Sequence, residues 1–204
     1  MSAEQAWQQA QAGWQTYART LAQLDQHIDR QQWLAVLALI AHCSGKVAVT
    51  GVGTSGIAAR KIAHMFSCIE CPAVYLNATD AAHGDIGFLT ADDLLIMLSR
   101  GGNSDELTRL LPVVKSKGTR LVVVTENPAS ALALNADQLL LMPESQEIDP
   151  LSMLATTSII TVLALFDTMM TALMTQNGFD QATLLAVHPG GNVGKQLREG
   201  KGDL

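Results

Sequence analysis

Two rules of spacing govern this chain in turn. Over residues 3–43 apolar side chains recur at helical intervals: Trp7, Trp14, Tyr17, Leu21 and Leu24, then Trp33, Val36, Leu37 and Ile40. Positions three, four or seven apart share a helix face, so the pattern predicts two helices, separated by the polar stretch Asp25-Gln26-His27-Ile28-Asp29. From Lys46 the rule changes. Short apolar runs at 47–50, 73–76, 94–98, 121–125 and 139–142 alternate with helical segments at 55–69, 103–117, 128–135 and 154–176. Several runs are apolar at nearly every position, as expected of parallel strands covered on both faces. The alternation predicts βαβ units and an α/β fold, a doubly wound five-stranded parallel sheet flanked by helices. In such folds ligands sit beyond the carboxyl ends of the strands, so the residues in those loops decide the chemistry.

Composition narrows the picture. The 204 residues suit one α/β domain, 46–204, preceded by a helical extension, 1–45. A formal net charge of −6 argues against a general affinity for nucleic acid but leaves room for a local anion site. No apolar run reaches transmembrane length without a polar break, and the N-terminal "MSAEQAWQQAQAGWQ" lacks the charged-then-apolar order of a signal peptide. The expectation is a soluble cytoplasmic protein with no membrane partner. The cysteines, Cys43, Cys68 and Cys71, are odd in number. Cys68 and Cys71 have C-x-x-C spacing, but no second pair completes a zinc site, and Pro72 follows them at a helix end. They read as packing residues, and no metal or cofactor is expected.

Five loops carry candidate chemistry. Gly51-Val52-Gly53-Thr54-Ser55-Gly56 follows a strand and opens a helix. Its glycines permit close approach of the backbone, the helix N-terminus favours an anion, and Thr54 and Ser55 add hydroxyls. The span also fits G-x-G-x-x-G, yet the second strand ends in Leu76-Asn77 rather than in the acid a dinucleotide ribose requires. From these residues alone a phosphate site, a dinucleotide site and a plain capped turn all remain open. Ser99-Arg100-Gly101-Gly102-Asn103-Ser104-Asp105-Glu106 repeats the logic after another strand. Arg100 suits phosphate oxygens but equally a solvated surface, and Glu106 suits catalysis or the first turn of a helix. The others are His83-Gly84-Asp85, the Glu147-Ile148-Asp149-Pro150 stretch leading to Thr156-Thr157-Ser158, and His188-Pro189-Gly190-Gly191.

Taken together, the strand-GxGxSG-helix element, "AAHGDIG", the Ser99–Glu106 loop, Glu147 ahead of "TTS", and "HPGGNVGKQL" resemble the SIS (sugar isomerase) domain, and more narrowly the D-arabinose 5-phosphate isomerases. The resemblance covers Lys46 to Leu197, and the residues before it fit that family's N-terminal helices. It implies interconversion of D-ribulose 5-phosphate and D-arabinose 5-phosphate through an enediolate, in a homotetramer whose active sites are shared between subunits. It assigns phosphate binding to Gly53, Thr54, Ser55, Ser99, Asn103 and Ser104, and chemistry to His83, Glu106, Glu147 and His188. Glu147 is expected to be the proton-shuttling base, its pKa raised by a second carboxylate. Two departures stand out. Thr54 occupies the place of a lysine usual in these isomerases, and Arg100-Gly101-Gly102 departs from the usual S-x-S-G loop. Arg100 is therefore expected to supply the lost cation.

Related proteins often append a pair of CBS domains, and none is expected here. A SIS-type DNA-binding regulator would need a helix-turn-helix segment ahead of the sugar domain, whereas residues 1–45 are rich in Gln and poor in Arg and Lys. A non-catalytic phosphosugar sensor, or an isomerase of another sugar phosphate, is the alternative. Synthesis of a lipopolysaccharide or capsule precursor is the pathway such a product usually serves. His27, His42 and His64 fall within helical patterns and read as structural or surface residues. The Met-rich segment "MLATTSIITVLALFDTMMTALM" reads as buried, plausibly between subunits, and the tail "REGKGDL" as frayed.

Overall fold

In a computed structural model of the chain, residues 1–199 are described. Of the tail expected to fray, 198–204, Arg198 instead ends a helix and donates to Pro189 O, and residues 200–204 lie outside the described residues. Helices α1 (Ala3–Ala22), α2 (Leu24–His27) and α3 (Arg30–Ala41) form the N-terminal segment. Ser2 and Gln5 cap α1 reciprocally. The stretch expected to separate two helices itself coils into the turn of α2. The break falls at Ile28-Asp29, where the Asp29 carboxylate accepts from Gln32 N at 2.9 Å and starts α3.

Strands β1 (Val47–Gly51), β2 (Ala73–Tyr75), β3 (Leu94–Leu98), β4 (Arg120–Thr125) and β5 (Gln138–Leu141) form one parallel sheet in the order β2-β1-β3-β4-β5. Successive strand residues point to opposite faces and feed two cores. On one face Val47, Val49, Leu94, Ile96, Leu98, Val122 and Val124 pack under α4 (Thr54–Ser67) and α8 (Thr157–Gln176). On the other, Ala48, Leu95, Met97, Leu121 and Val123 meet Leu107, Leu110, Val114 and Leu132. The consecutive apolar runs thus reflect burial from both sides, as the sequence implied.

Phe66 of α4 meets Phe166 of α8 edge-on with ring centroids 6.2 Å apart, and Lys61 pairs with Asp167 across the same two helices. By length and composition α8 is apolar enough to cross a membrane, but Leu165, Phe166, Met169 and Leu173 are spent on the sheet core. Val36, Leu37 and Ile40 of α3 join that core, so the helical extension is packed into the α/β unit. At the amino end of the sheet, buried Asp93 accepts from Lys46 N, Lys46 Nζ, Thr90 N and Thr90 Oγ1 at 2.7–3.0 Å.

Two expected helices need correction. The segment 103–117 splits into α6 (Asp105–Thr108) and α7 (Leu111–Lys117), because Pro112 has no N–H to continue the ladder. The segment 128–135 yields only a 3-10 turn at Ala133–Asn135. There the Asn127 and Asn103 side chains accept from Ala129 N and Ala131 N, and these bonds compete with a helix. Between β2 and β3 lie α5 (Ala78–Ala81) and a 3-10 turn at Asp85–Phe88. Helices α9 (Gln181–Val187) and α10 (Gly191–Arg198) follow α8.

Candidate functional site

The chain leaves β1 toward β2 on one side and pairs it with β3 on the other, so β1 and β3 flank the point where the winding reverses. A crevice opens there beyond the carboxyl ends. Gly51 and Leu98 stand opposite each other in register, so the loops following them begin side by side. The first loop is shaped by backbone approach. A Cβ on Gly51 would lie 2.7 Å from the Ser55 carbonyl carbon, and one on Gly56 would lie 2.8 Å from the Gly51 oxygen. Gly53, at φ 58°, is the N-cap of α4, and no side chain caps that helix. Its first N–H groups therefore stay available to an anion.

The second loop is braced from within. Ser99 Oγ lies 3.1 Å from Ser104 Oγ and accepts from Gly102 N at 3.1 Å. Asn103 donates to Gly101 O and accepts from Ala131 N, so its amide ties the loop to the β4–β5 connection. Between the loops runs a narrow cleft lined by Ser55, Ser99, Arg100, Thr125, Glu126 and Ser158, over the apolar floor of Leu98, Val124, Met142 and Ile159. Of the expected phosphate residues, Ser55, Ser99 and Arg100 line the cleft. Ser104 backs Ser99, while Gly53 and Thr54 stand exposed outside its lining.

Arg100 carries three partners. Its Nε donates to Glu126 Oε2 at 3.1 Å, one terminal nitrogen lies 3.2 Å from Glu147 Oε1, and the other donates to Ser145 O at 3.3 Å. Burial would lower its pKa, and the neighbouring carboxylates Glu126, Glu147 and Glu144 more than offset that, so it stays a cation. The Glu147 side chain is fully buried. Its Oε2 accepts from Thr156 N, Thr156 Oγ1, Thr157 N and Ser158 N at 2.6–3.3 Å, closing the N-terminus of α8. Burial pushes this carboxyl up, but hydrogen bonds from Ser158 and Thr156 outweigh it and hold the pKa below the usual range. The expected raised pKa is thus replaced by a depressed one. Its neighbours are donors and a cation rather than a second bare carboxylate.

The remaining candidates are less gathered. Glu106 is exposed in the first turn of α6. His83 is exposed just past α5, which packs against α6. His188 caps the C-terminus of α9, and the adjoining Val187 shares a recess with Lys46, Pro72 and Ala73 at the opposite, amino end of the sheet. Within one protomer His188 therefore stands apart from the crevice. Glu126 escaped the sequence reading, although it directly follows a predicted strand, where site residues gather.

A doubly wound sheet with hydroxyl-bearing loops at its switch point, an ion-paired arginine and a helix N-terminus facing the crevice defines an α/β domain built for small anionic ligands. More narrowly, the SIS domain model matches residues 40–172, and the chain belongs to that family. It is 36% identical over 177 residues to the arabinose 5-phosphate isomerase KpsF of Escherichia coli, covering 87% of this chain and 54% of that protein. To the arabinose 5-phosphate isomerase KdsD of Yersinia pestis it is 37% identical, over the same shares. The chain spans about half the length of the curated relatives it matches. Among solved structures, an Escherichia coli protein in complex with arabinose 5-phosphate superposes with a TM-score of 0.88 at 28% identity, over 93% of this chain and all of that one.

Proposed function

We propose that this protein is an aldose–ketose isomerase that interconverts D-ribulose 5-phosphate and D-arabinose 5-phosphate. The observation that carries the reading is the switch-point cleft, where Ser55, Ser99 and Arg100 converge beside the ionised, buried Glu147. The reading is supported by the relatives named arabinose 5-phosphate isomerase. In this account the phosphate rests against Gly53, Thr54, Ser55, Ser99, Asn103 and Ser104, with Arg100 as the cation. The proton moves between adjacent carbons through an enediolate, with Glu147 as base and Glu106 polarising a hydroxyl. His83 and His188 assist opening of the furanose ring.

His188 must then come from a neighbouring subunit, which fits a homotetramer with shared sites. Its remoteness from the cleft of its own protomer supports this, as do exposed Trp7, Trp14, Leu151, Met153 and Leu154. Supply of a lipopolysaccharide or capsule precursor in the cytoplasm is the fitting role. The test is incubation of the purified protein with ribulose 5-phosphate and identification of the aldose formed. Arabinose 5-phosphate as product supports the reading. No turnover, or turnover only on hexose or heptose phosphates, rejects it.

A further inference from the structure

Arg100 sits on two carboxylates in unequal ways. Toward Glu126 it donates a well-formed hydrogen bond through Nε at 3.1 Å. Toward Glu147 it is only close, at 3.2 Å, and Glu147 Oε1 accepts no hydrogen bond at all although it is fully shielded from solvent. The two oxygens of Glu147 are thereby divided. One is saturated by the N-terminus of α8. The other is buried, charged and neutralised by one poorly aligned cation. A buried oxygen left in that condition is costly, and a rigid structural carboxylate would have both oxygens satisfied.

The cation is also partly open to solvent. The Arg100 side chain is 36% exposed, and it lines the cleft together with Ser55 and Ser99. A phosphate dianion entering the cleft carries about twice the charge of a carboxylate and accepts the paired N–H groups of a guanidinium in one plane. The contact best placed to survive is the Nε bond to Glu126, and the one best placed to yield is the loose contact with Glu147.

We propose that Arg100 is a phosphate-operated latch: pivoting on Glu126, it swings its terminal nitrogens from Glu147 Oε1 to the phosphate and so exposes Glu147 as a base only when substrate is bound. Glu126 is then the positioning residue for Arg100. This rests on the reading of the cleft as a phosphate site and of Glu147 as the base, and it goes further by coupling the two. The charged groups around the latch are few: Glu147 faces Arg100 and the positive N-terminus of α8, and Arg100 in turn feels Glu126 at the end of β4 and Glu144. Withdrawal of the arginine leaves the α8 donors in place but removes the cation, so the proton affinity of Glu147 must rise. Empty protein keeps the base quenched, and bound substrate switches it on.

The test is the titration of Glu147 by carboxyl-carbon NMR on the full-length protein. Its resonance is assigned through its own backbone, and inorganic phosphate is the probe. In the unaltered protein saturating phosphate is expected to raise the Glu147 pKa by about one unit, a tenfold gain in proton affinity. In Arg100→Gln, at phosphate concentrations that saturate that variant, the rise should be at most a third of this. Should Arg100→Gln fail to fold, Glu126→Ala takes its place. It keeps the cation but removes the pivot, and is expected to weaken phosphate binding about tenfold. An unmoved or lowered Glu147 pKa in the unaltered protein overturns the latch. So does an equal rise without Arg100, which would mean simple repulsion by the bound anion. These outcomes stand apart from the isomerase reading. An arginine-dependent rise without turnover of ribulose 5-phosphate keeps the latch and rejects the substrate, whereas turnover with an unmoved pKa does the reverse.

Discussion

Replacing Glu147 by Gln separates its two duties, as base and as the closing group of α8. The substitution is nearly isosteric, so packing is preserved and the loss is electrostatic. Hydrogen bonds to a charged acceptor contribute about 1.5–3 kcal/mol against about 0.5–1.5 for neutral ones, and several of the four donors at Oε2 share that difference. Loss of the anion at the N-terminus of a 20-residue helix removes about 1 kcal/mol more. The amide also places N–H against the Arg100 guanidinium or against the α8 donors, whichever way it is turned. The expected cost is about 3 kcal/mol, discounting for overlap between these terms.

With a urea slope of about 3 kcal/mol/M for a chain of this size, the midpoint should fall by about 1 M with the slope unchanged. Glu106→Gln is the control, expected within about 1 kcal/mol because that side chain is exposed. The pH dependence is a further check. The folded pKa of Glu147 is depressed, so its contribution is complete above the unfolded carboxyl value of about 4.3 and fades as pH falls toward the folded value. The gap between the two proteins should therefore close in acid. A gap below about 1 kcal/mol at pH 7, or one that widens on acidification, would refute the cap reasoning.

Asp93→Ala strips acceptors from Lys46 N and Thr90 N and leaves Lys46 without its partner, and should cost about 2–4 kcal/mol by chemical denaturation. Gly56→Ala forces a Cβ to within 2.8 Å of the Gly51 oxygen, so α4 must lift off β1, lowering stability by about 1–3 kcal/mol and weakening phosphate binding measured by calorimetry. Phe66→Ala empties the α4–α8 contact with Phe166 and should cost about 3–5 kcal/mol in a thermal or urea melt. Burial and nearby Cys43 push the Cys71 thiol up to about 11, so at pH 8 half-buried Cys71 should react with iodoacetamide more slowly in the folded protein than after denaturant is added.

The sheet was legible because strands buried on both faces must be apolar at consecutive positions, and 94–98 and 121–124 are. The strand–turn–helix course of the first loop was legible because Gly51, Gly53 and Gly56 stand between an apolar run and a helical pattern, although the spacing alone did not say which ligand it serves. What escaped was contact across the sheet. Arg100, Glu126 and Glu147 are far apart in sequence and meet because β3, β4 and β5, which they follow, lie side by side. A lone arginine therefore read as a free phosphate ligand, and Glu147 as a base with a raised pKa. The split of 103–117 turns on Pro112, which was visible in the sequence. The loss of the 128–135 helix depends on Asn103 reaching Ala131, which was not. The position of His188 depends on how α9 folds back toward the amino end of the sheet, a tertiary matter with no local signature.

The central claim is that a sugar phosphate is gripped at the crevice between the loops following β1 and β3. A crystal structure with arabinose 5-phosphate bound tests it directly. Phosphate oxygens are expected within hydrogen-bonding distance of Ser55 and Ser99, with the sugar chain directed toward Glu147. A phosphate lodged outside that crevice, with both loops unoccupied, would contradict it.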